Sequence, residues 1–116
     1  MAYMDCVVCA VPTANKEAYL KHAKEAFPMF KKQGAESMIE CWGDDVPEGK
    51  VNSLHTAVDR KPDETVVMSY IRWPSKEMRD AAWEKVMADS AMEKMDMPFD
   101  GSRMIFGGFE LLLETS

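Results

Sequence analysis

The chain has 116 residues, about the length of one globular domain, and 47% of them are hydrophobic while 29% are charged. This balance argues against a disordered chain and predicts one soluble domain over residues 1–116. There are 20 acidic residues and 14 basic ones, giving a net charge of −6, and the basic residues are scattered. This pattern disfavours binding to a nucleic-acid backbone.

Two features that the sequence lacks bear on the cellular location of the protein. The sequence contains no apolar run near the ~20 residues of a membrane span and no basic, apolar secretory leader. We therefore expect a cytoplasmic protein that makes no membrane contact. In that reducing compartment Cys6, Cys9 and Cys41 are expected to be free thiols.

The first part of the chain predicts a strand, a helix and a second strand. Residues 3–11 are apolar on both alternating faces, which predicts a strand covered on both sides. Residues 15–33 carry apolar side chains at helical spacing, with a kink or division expected at Pro28 and a stop at Gly34. The second strand is expected over residues 35–43.

The middle of the chain predicts loops around a third strand. Residues 44–50 and 59–64 are polar and rich in turn formers, and residues 52–58 are expected to add a short strand or an irregular segment. Residues 65–73 hold two valines, an isoleucine and two aromatic residues, which makes them the clearest strand of the sequence.

The last part predicts helices and a fourth strand. Ser75 is a good cap for a helix that runs to about residue 88, and a capping box from Ser90 to Glu93 predicts a short further helix. The final strand is expected over residues 102–113. The adjacent Gly107 and Gly108 inside it predict a bulge or a close approach by other atoms.

The element order β-α-β-β-α-β is that of a ferredoxin-like α+β sandwich, with two helices on one face of an antiparallel sheet. The other face would be bare, and on the first strand it is too apolar for water. Packing against a second copy is the simplest way to cover it. The sequence therefore predicts a homodimer that forms a closed dimeric α/β barrel.

Four strings of the sequence resemble a known family. The strings AVPTANKEAY, ECWGDDVPEGKV, ETVVMSYIRWPSKEMRD and MDMPFDGSRMIFGGF are similar to a bacterial family of unknown function. That family lies in the dimeric α/β-barrel superfamily, beside antibiotic-biosynthesis-monooxygenase-like domains. The resemblance extends from residue 3 to about residue 109. It implies the same fold and a homodimer, and it implies no established activity or catalytic residue.

Two sets of residues are candidates for ligand binding. Charges on buried strands are costly unless paired, so polar strand residues that converge would put a carboxylate and a phenol beside an apolar ligand. The alternative is ion pairs that tie strands or subunits together. Aromatic residues on the strands either line a pocket or pack in the core and dimer interface. The polar set is Asp5, Glu40, Tyr70 and Arg103, and the aromatic set is Trp42, Trp73, Phe106 and Phe109, with Tyr70.

Other motifs predict no cofactor and no metal. Cys6 and Cys9 are three residues apart on a strand, so their thiols are expected on opposite faces. His22 and His55 have no partner at metal-ligand spacing, and the sequence contains no phosphate-binding glycine motif.

Three functions remain open from the sequence. The first is a small-molecule-binding homodimer. The second is a cofactor-independent oxygenase or isomerase acting on a small, partly aromatic substrate, and the third is an interaction protein associated with RNA or another protein. A cavity where the polar set converges would favour the first two, because an interaction protein needs an exposed patch instead.

Overall fold

The computed structural model describes residues 2–116 and shows an α+β fold with one antiparallel sheet. The sheet order is β2-β3-β1-β4, and every neighbouring pair of strands is antiparallel. The α+β class expected from the sequence is confirmed. The strands are β1 (Tyr3–Pro12), β2 (Ser37–Trp42), β3 (Glu64–Trp73) and β4 (Ile105–Glu110). The helices are α1 (Lys16–Lys32), α2 (Leu54–Ala57), α3 (Lys76–Ala88) and α4 (Ser90–Glu93), with 3-10 turns at Thr13–Asn15 and Gly101–Arg103.

The two long helices, α1 and α3, pack on one face of the sheet, which we call the covered face. Odd-numbered residues of β1 and β3 point to it, and Val11, Val67 and Trp73 are at most 1% exposed there. Even-numbered residues of these strands point to the opposite side, the open face. Within residues 2–116, one end of the open face is buried, where Ala10 packs against Val58 and Val66.

Helix α1 runs through Pro28 as one element, so of the kink or division expected there, the division does not occur. Proline removes one backbone hydrogen bond. Ala26 and Phe30 are both buried on the sheet, and they hold the helix in place on either side of the missing bond. Gly34 ends the segment as expected, with a φ of +112° that favours glycine.

The segment expected to be a short strand or irregular contains the single-turn helix α2. Ser53 and Thr56 form a capping box in which each side chain accepts a hydrogen bond from the other residue's backbone N–H. A local hydrogen bond from backbone to side chain also sets the start of α4. Asp89 caps this helix by accepting from the backbone N–H of Ala91 at 2.8 Å, so the cap expected at Ser90 is wrong by one residue.

Strand β4 is shorter than expected because the 3-10 turn at Gly101–Arg103 occupies its predicted start. Its pairing with β1 is regular, so there is no bulge at the two glycines. The close approach is present at Gly108. A Cβ atom there would lie 2.5 Å from the Tyr3 hydroxyl and 2.8 Å from Arg79 Nη2. No helix within residues 2–116 is long and apolar enough to span a bilayer.

Candidate ligand site at Glu40

The polar residues predicted to share one cavity lie in three separate places. Asp5 and Glu40 both point to the covered face, on strands that β3 separates. Tyr70 pairs with Cys6 and lies on the open face, because it is an even-numbered residue of β3. Arg103 lies in a 3-10 turn rather than on a strand. These four polar residues therefore do not line one common cavity.

The carboxylate of Asp5 is fully engaged. It is 5% exposed and accepts from Trp73 Nε1 and Trp83 Nε1, each at 2.8 Å, and from Arg79 Nη2 at 2.7 Å. The hydrogen bonds to Asp5 raise the pKa of Arg79 above its ordinary value. This centre is an ion pair that joins β1 to α3, and Trp73 serves the core rather than a pocket.

Arg103 makes the second ion pair. Its Nη1 and Nη2 atoms donate to the two oxygens of Glu64 at 2.6 Å each, and Nη1 also donates to the backbone oxygen of Asp59 at 2.8 Å. These bonds lower the pKa of Glu64 to about 2. The sequence allowed for such a pair, but it suggested Asp5 or Glu40 as the partner. Glu64 was missed because the pattern placed it in a polar turn.

Glu40 forms a third and different centre. Its Oε1 atom accepts from the Tyr19 hydroxyl at 2.6 Å and from Ser69 Oγ at 2.5 Å. Helix α1 supplies the tyrosine, the edge strand β2 supplies the glutamate, and β3 supplies the serine. Burial and the bond to Glu40 raise the pKa of Tyr19 well above its ordinary value, so the phenol stays protonated and donates.

The second oxygen of Glu40 is available. Within residues 2–116 no hydrogen bond reaches Oε2. This atom is not among the buried polar atoms without a partner, so it keeps some contact with solvent. Beneath the carboxylate lies Cys9, whose pKa burial raises to about 11, which keeps this thiol neutral. The accessible reactive group of the centre is therefore a carboxylate oxygen.

Glu40 lies where two concave regions meet, and together we call them the α1–β2 groove. One region of about 100 Å³ runs past Trp42 and Val67, and the other of about 340 Å³ runs past Phe27 and Met38. Both regions also share Leu20 and Ala23 as walls. The groove is mainly apolar, and Glu40 lines both of its regions.

The predicted aromatic residues also lie in different parts of the structure. Trp42 lies in the groove, with Lys16 Nζ 5.5 Å from the centre of its ring. Phe106 and Phe109 are 73% and 56% exposed on opposite faces of β4, away from the groove. Of the predicted site residues, the structure therefore brings together Glu40 and Trp42.

Tyr19 and Ser69 were missed as partners of Glu40. The helical spacing had assigned Tyr19 to an apolar stripe. A serine on a strand that is otherwise apolar was the available signal for Ser69.

The thiols of Cys6 and Cys9 diverge as expected. Cys9 is buried with the helix-side core, whereas Cys6 pairs with Gly107 on the open face.

These features define a class of α+β protein in which one sheet face carries two helices and a groove with apolar walls and a carboxylate that has no basic partner within residues 2–116. The chain belongs to the family described as "Protein of unknown function (DUF1428)", which matches residues 2–101. The resemblance to a bacterial family of unknown function is thus confirmed. A relative called "Uncharacterized protein YbaA" from Escherichia coli (strain K12) is 49% identical over 116 residues, covering 98% of this chain and 99% of the relative.

A protein of the same name from Shigella flexneri has the same identity and coverage. Among solved structures, "De novo designed protein Foldit4" has a TM-score of 0.46 and 12% sequence identity, covering 96% of this chain and 98% of that chain.

Proposed function

We propose that the chain is a cytoplasmic small-molecule-binding protein whose ligand lies in the α1–β2 groove. The observation that carries this proposal is Glu40, which lines both apolar regions of the groove and whose Oε2 atom accepts no hydrogen bond from residues 2–116. Ligand sites are concave and mainly apolar, with a few polar groups that fix the ligand's orientation. The hydrogen bonds from Tyr19 and Ser69 support this role, because they fix the carboxylate before a ligand arrives.

Among the residues predicted to bind a ligand, Glu40 and Trp42 are the two that this proposal uses. Glu40 fixes the ligand's polar group, and Trp42 forms the wall at the narrow end of the groove. The side chains of Asp5 and Arg103 are already engaged in ion pairs, which leaves them little capacity for a ligand.

The test is a screen of small compounds against ¹⁵N-labelled protein by NMR. We expect hits to shift the amide signals of Leu20 and Ala23 and the indole signal of Trp42. Leu20 is 43% exposed and lines both parts of the groove, so Leu20→Ala should weaken binding up to about tenfold. Leu54 is 38% exposed on α2, and Leu54→Ala is the matched control. Hits that never shift groove signals would contradict the proposal.

A cofactor-independent isomerase or oxygenase is the second candidate. The same free oxygen favours it, because a positioned carboxylate is able to take a proton from a bound substrate as a general base. The measurement is exchange of deuterium from solvent into a groove ligand. Exchange that depends on Glu40 would support this candidate, and binding without exchange would leave the protein a binder.

We further propose that the chain is a single ferredoxin-like domain that forms a homodimeric α/β barrel through its open face. The strand order β2-β3-β1-β4, with α1 and α3 as the long connections, supports the ferredoxin-like part of this proposal. The open face carries Ile39, Ile105 and Phe109, which are 52%, 44% and 56% exposed. Ile39 lies on one edge strand and Ile105 and Phe109 lie on the other, so exposed apolar side chains occur at both edges of this face and favour its burial against another sheet.

Light scattering with size-exclusion chromatography tests this assembly. We expect a mass twice the 13.1 kDa of the chain. Phe109→Lys puts a charge on the open face and should give monomers. Phe106→Lys puts the same charge on the opposite face of β4 and should leave the dimer intact. A monomeric wild-type protein would contradict the proposal.

A further inference from the structure

Three carboxylates of the sheet are withdrawn from full exposure, and two of them have arginine partners. Asp5 is paired with Arg79, and Glu64 is paired with Arg103 through two hydrogen bonds. Glu40 differs. Within residues 2–116 no lysine, arginine or histidine nitrogen lies within 4.0 Å of its carboxylate. Its two hydrogen-bond partners are neutral hydroxyls.

An unpaired carboxylate beside apolar walls is costly, because the walls displace water that would otherwise stabilise the charge. Hydroxyl donors reduce this cost without neutralising the charge. In this protein the other two withdrawn carboxylates are neutralised by arginine from within the chain. The missing positive charge at Glu40 is therefore the feature that identifies the ligand.

We propose that the α1–β2 groove binds an organic cation, a primary amine or amidine attached to a small apolar body. This inference rests on the proposed function of the groove as a ligand site. The ligand's N–H groups donate to Oε2 of Glu40, which makes a charge-assisted hydrogen bond. The apolar body lies along Leu20, Phe27 and Met38 in the larger region, whose 340 Å³ is near the lower end of the range for small-ligand sites.

The rim of the groove carries charges of both signs. Lys16 and Lys24 are exposed, and so is Glu17, which carries the opposite charge. Lys16 is engaged over the ring of Trp42. Charges in water interact weakly across the rim and are screened by salt, whereas the carboxylate of Glu40 acts at contact distance beside apolar walls.

The test compares three probes that share a phenyl ring and differ in their polar group. These are 2-phenylethylamine, 2-phenylethanol and 3-phenylpropanoate, each titrated into ¹⁵N-labelled protein. We expect the amine to shift the signals of Leu20, Ala23 and Trp42 and to bind at least tenfold more tightly than the alcohol. The acid should not bind.

Two variants sharpen the result. Glu40→Gln should remove the preference for the amine, because the amide carries no charge and its NH₂ group, in the place of Oε2, donates rather than accepts a hydrogen bond. Glu84→Gln removes an exposed carboxylate on α3 and should leave the preference unchanged. The comparison of the three probes on the wild-type protein needs no variant, so the inference stays testable if Glu40→Gln does not fold.

The outcomes separate this inference from the proposed function. Groove binding of the alcohol or the acid as tight as that of the amine overturns the cation inference and leaves the groove a ligand site. Failure of the amine to shift groove signals at millimolar concentration also overturns the cation inference. The proposed function falls only if the wider compound screen gives no groove ligand at all.

Discussion

The Asp5 and Glu40 centres lie on the same face of one sheet and differ in what surrounds the carboxylate. Asp5 is on β1, which has a strand on either side, and it meets two indole N–H groups and a guanidinium. Glu40 is on the edge strand β2 and meets two hydroxyls on one oxygen. Both centres take one donor from β3, Trp73 in the first and Ser69 in the second.

The difference between the two centres shows that burial of a carboxylate does not by itself indicate a functional site. At Asp5 every acceptor position is directed at a donor, and the charge is neutralised, so the group contributes to stability. At Glu40 an oxygen and the negative charge are both left over, so the group is available to a ligand. The same substitution, carboxylate to amide, should therefore lower the stability strongly at Asp5, whereas at Glu40 it should mainly change ligand binding.

The largest effect is expected at Asp5. Asp5→Asn directs an amide NH₂ at indole and guanidinium donors and removes the buried one of the two carboxylates paired with Arg79, leaving the more exposed Asp80. Breaking a buried ion pair in this way costs about 3–5 kcal/mol of unfolding free energy. Urea denaturation measures it, with Asp45→Asn at an exposed position as the control. A loss below about 1 kcal/mol would place Asp5 among surface ion pairs instead.

The next effect concerns the Arg103–Glu64 pair and depends on pH. In the folded state the pKa of Glu64 is lowered from 4.5 to about 2. The stability from this shift is present above pH 4.5 and is lost as pH falls towards 2. Arg103→Ala should therefore lower the unfolding free energy at neutral pH, and the difference from wild type should shrink on acidification.

Thermal unfolding between pH 2 and 7 measures this difference. A constant gap between the Arg103→Ala variant and the wild type across that range would contradict the role given to Glu64. If the dimer forms through the open face, the variant should retain the dimer mass at neutral pH, because both partners of the ion pair belong to one chain.

A smaller effect is expected where β4 approaches the Asp5 centre. Gly108→Ala would push the Tyr3 ring and Arg79 away from Asp5, with a loss of about 1–3 kcal/mol for overpacking. Gly107→Ala is the matched control, because its Cβ would meet only the Phe109 ring at an ordinary 3.4 Å. Equal unfolding midpoints for the two variants would show that Tyr3 moves freely.

The smallest effect on stability is expected at Glu40. In Glu40→Gln the amide oxygen replaces Oε1 and still accepts from Tyr19 and Ser69, so the unfolding free energy should change by no more than about 1 kcal/mol. Ligand binding should nevertheless change. If urea denaturation showed a large loss of unfolding free energy, Glu40 would serve stability as Asp5 does, and the difference between the two centres would not hold.

Several local choices were predictable and some were not. Alternation along β1 and β3 correctly gave the strands and the separation of Cys6 from Cys9, because a strand's side chains alternate by geometry. Helix α2 and the cap of α4 were missed because Ser53 and Asp89 bond to backbone groups a few residues away, and hydrophobic periodicity does not register such bonds. The two polar partners of Glu40 were missed because they come from different elements.

The sequence by itself determined the α+β class, the four strands and the presence of unusual charges on them, since these follow from periodicity and residue type. Only the tertiary structure decided which charges meet. Asp5, Glu40 and Arg103 look alike in the sequence, but their partners lie 74, 29 and 39 residues away. Long-range pairing depends on strand order and helix placement, and it alone separates a neutralised carboxylate from an available one.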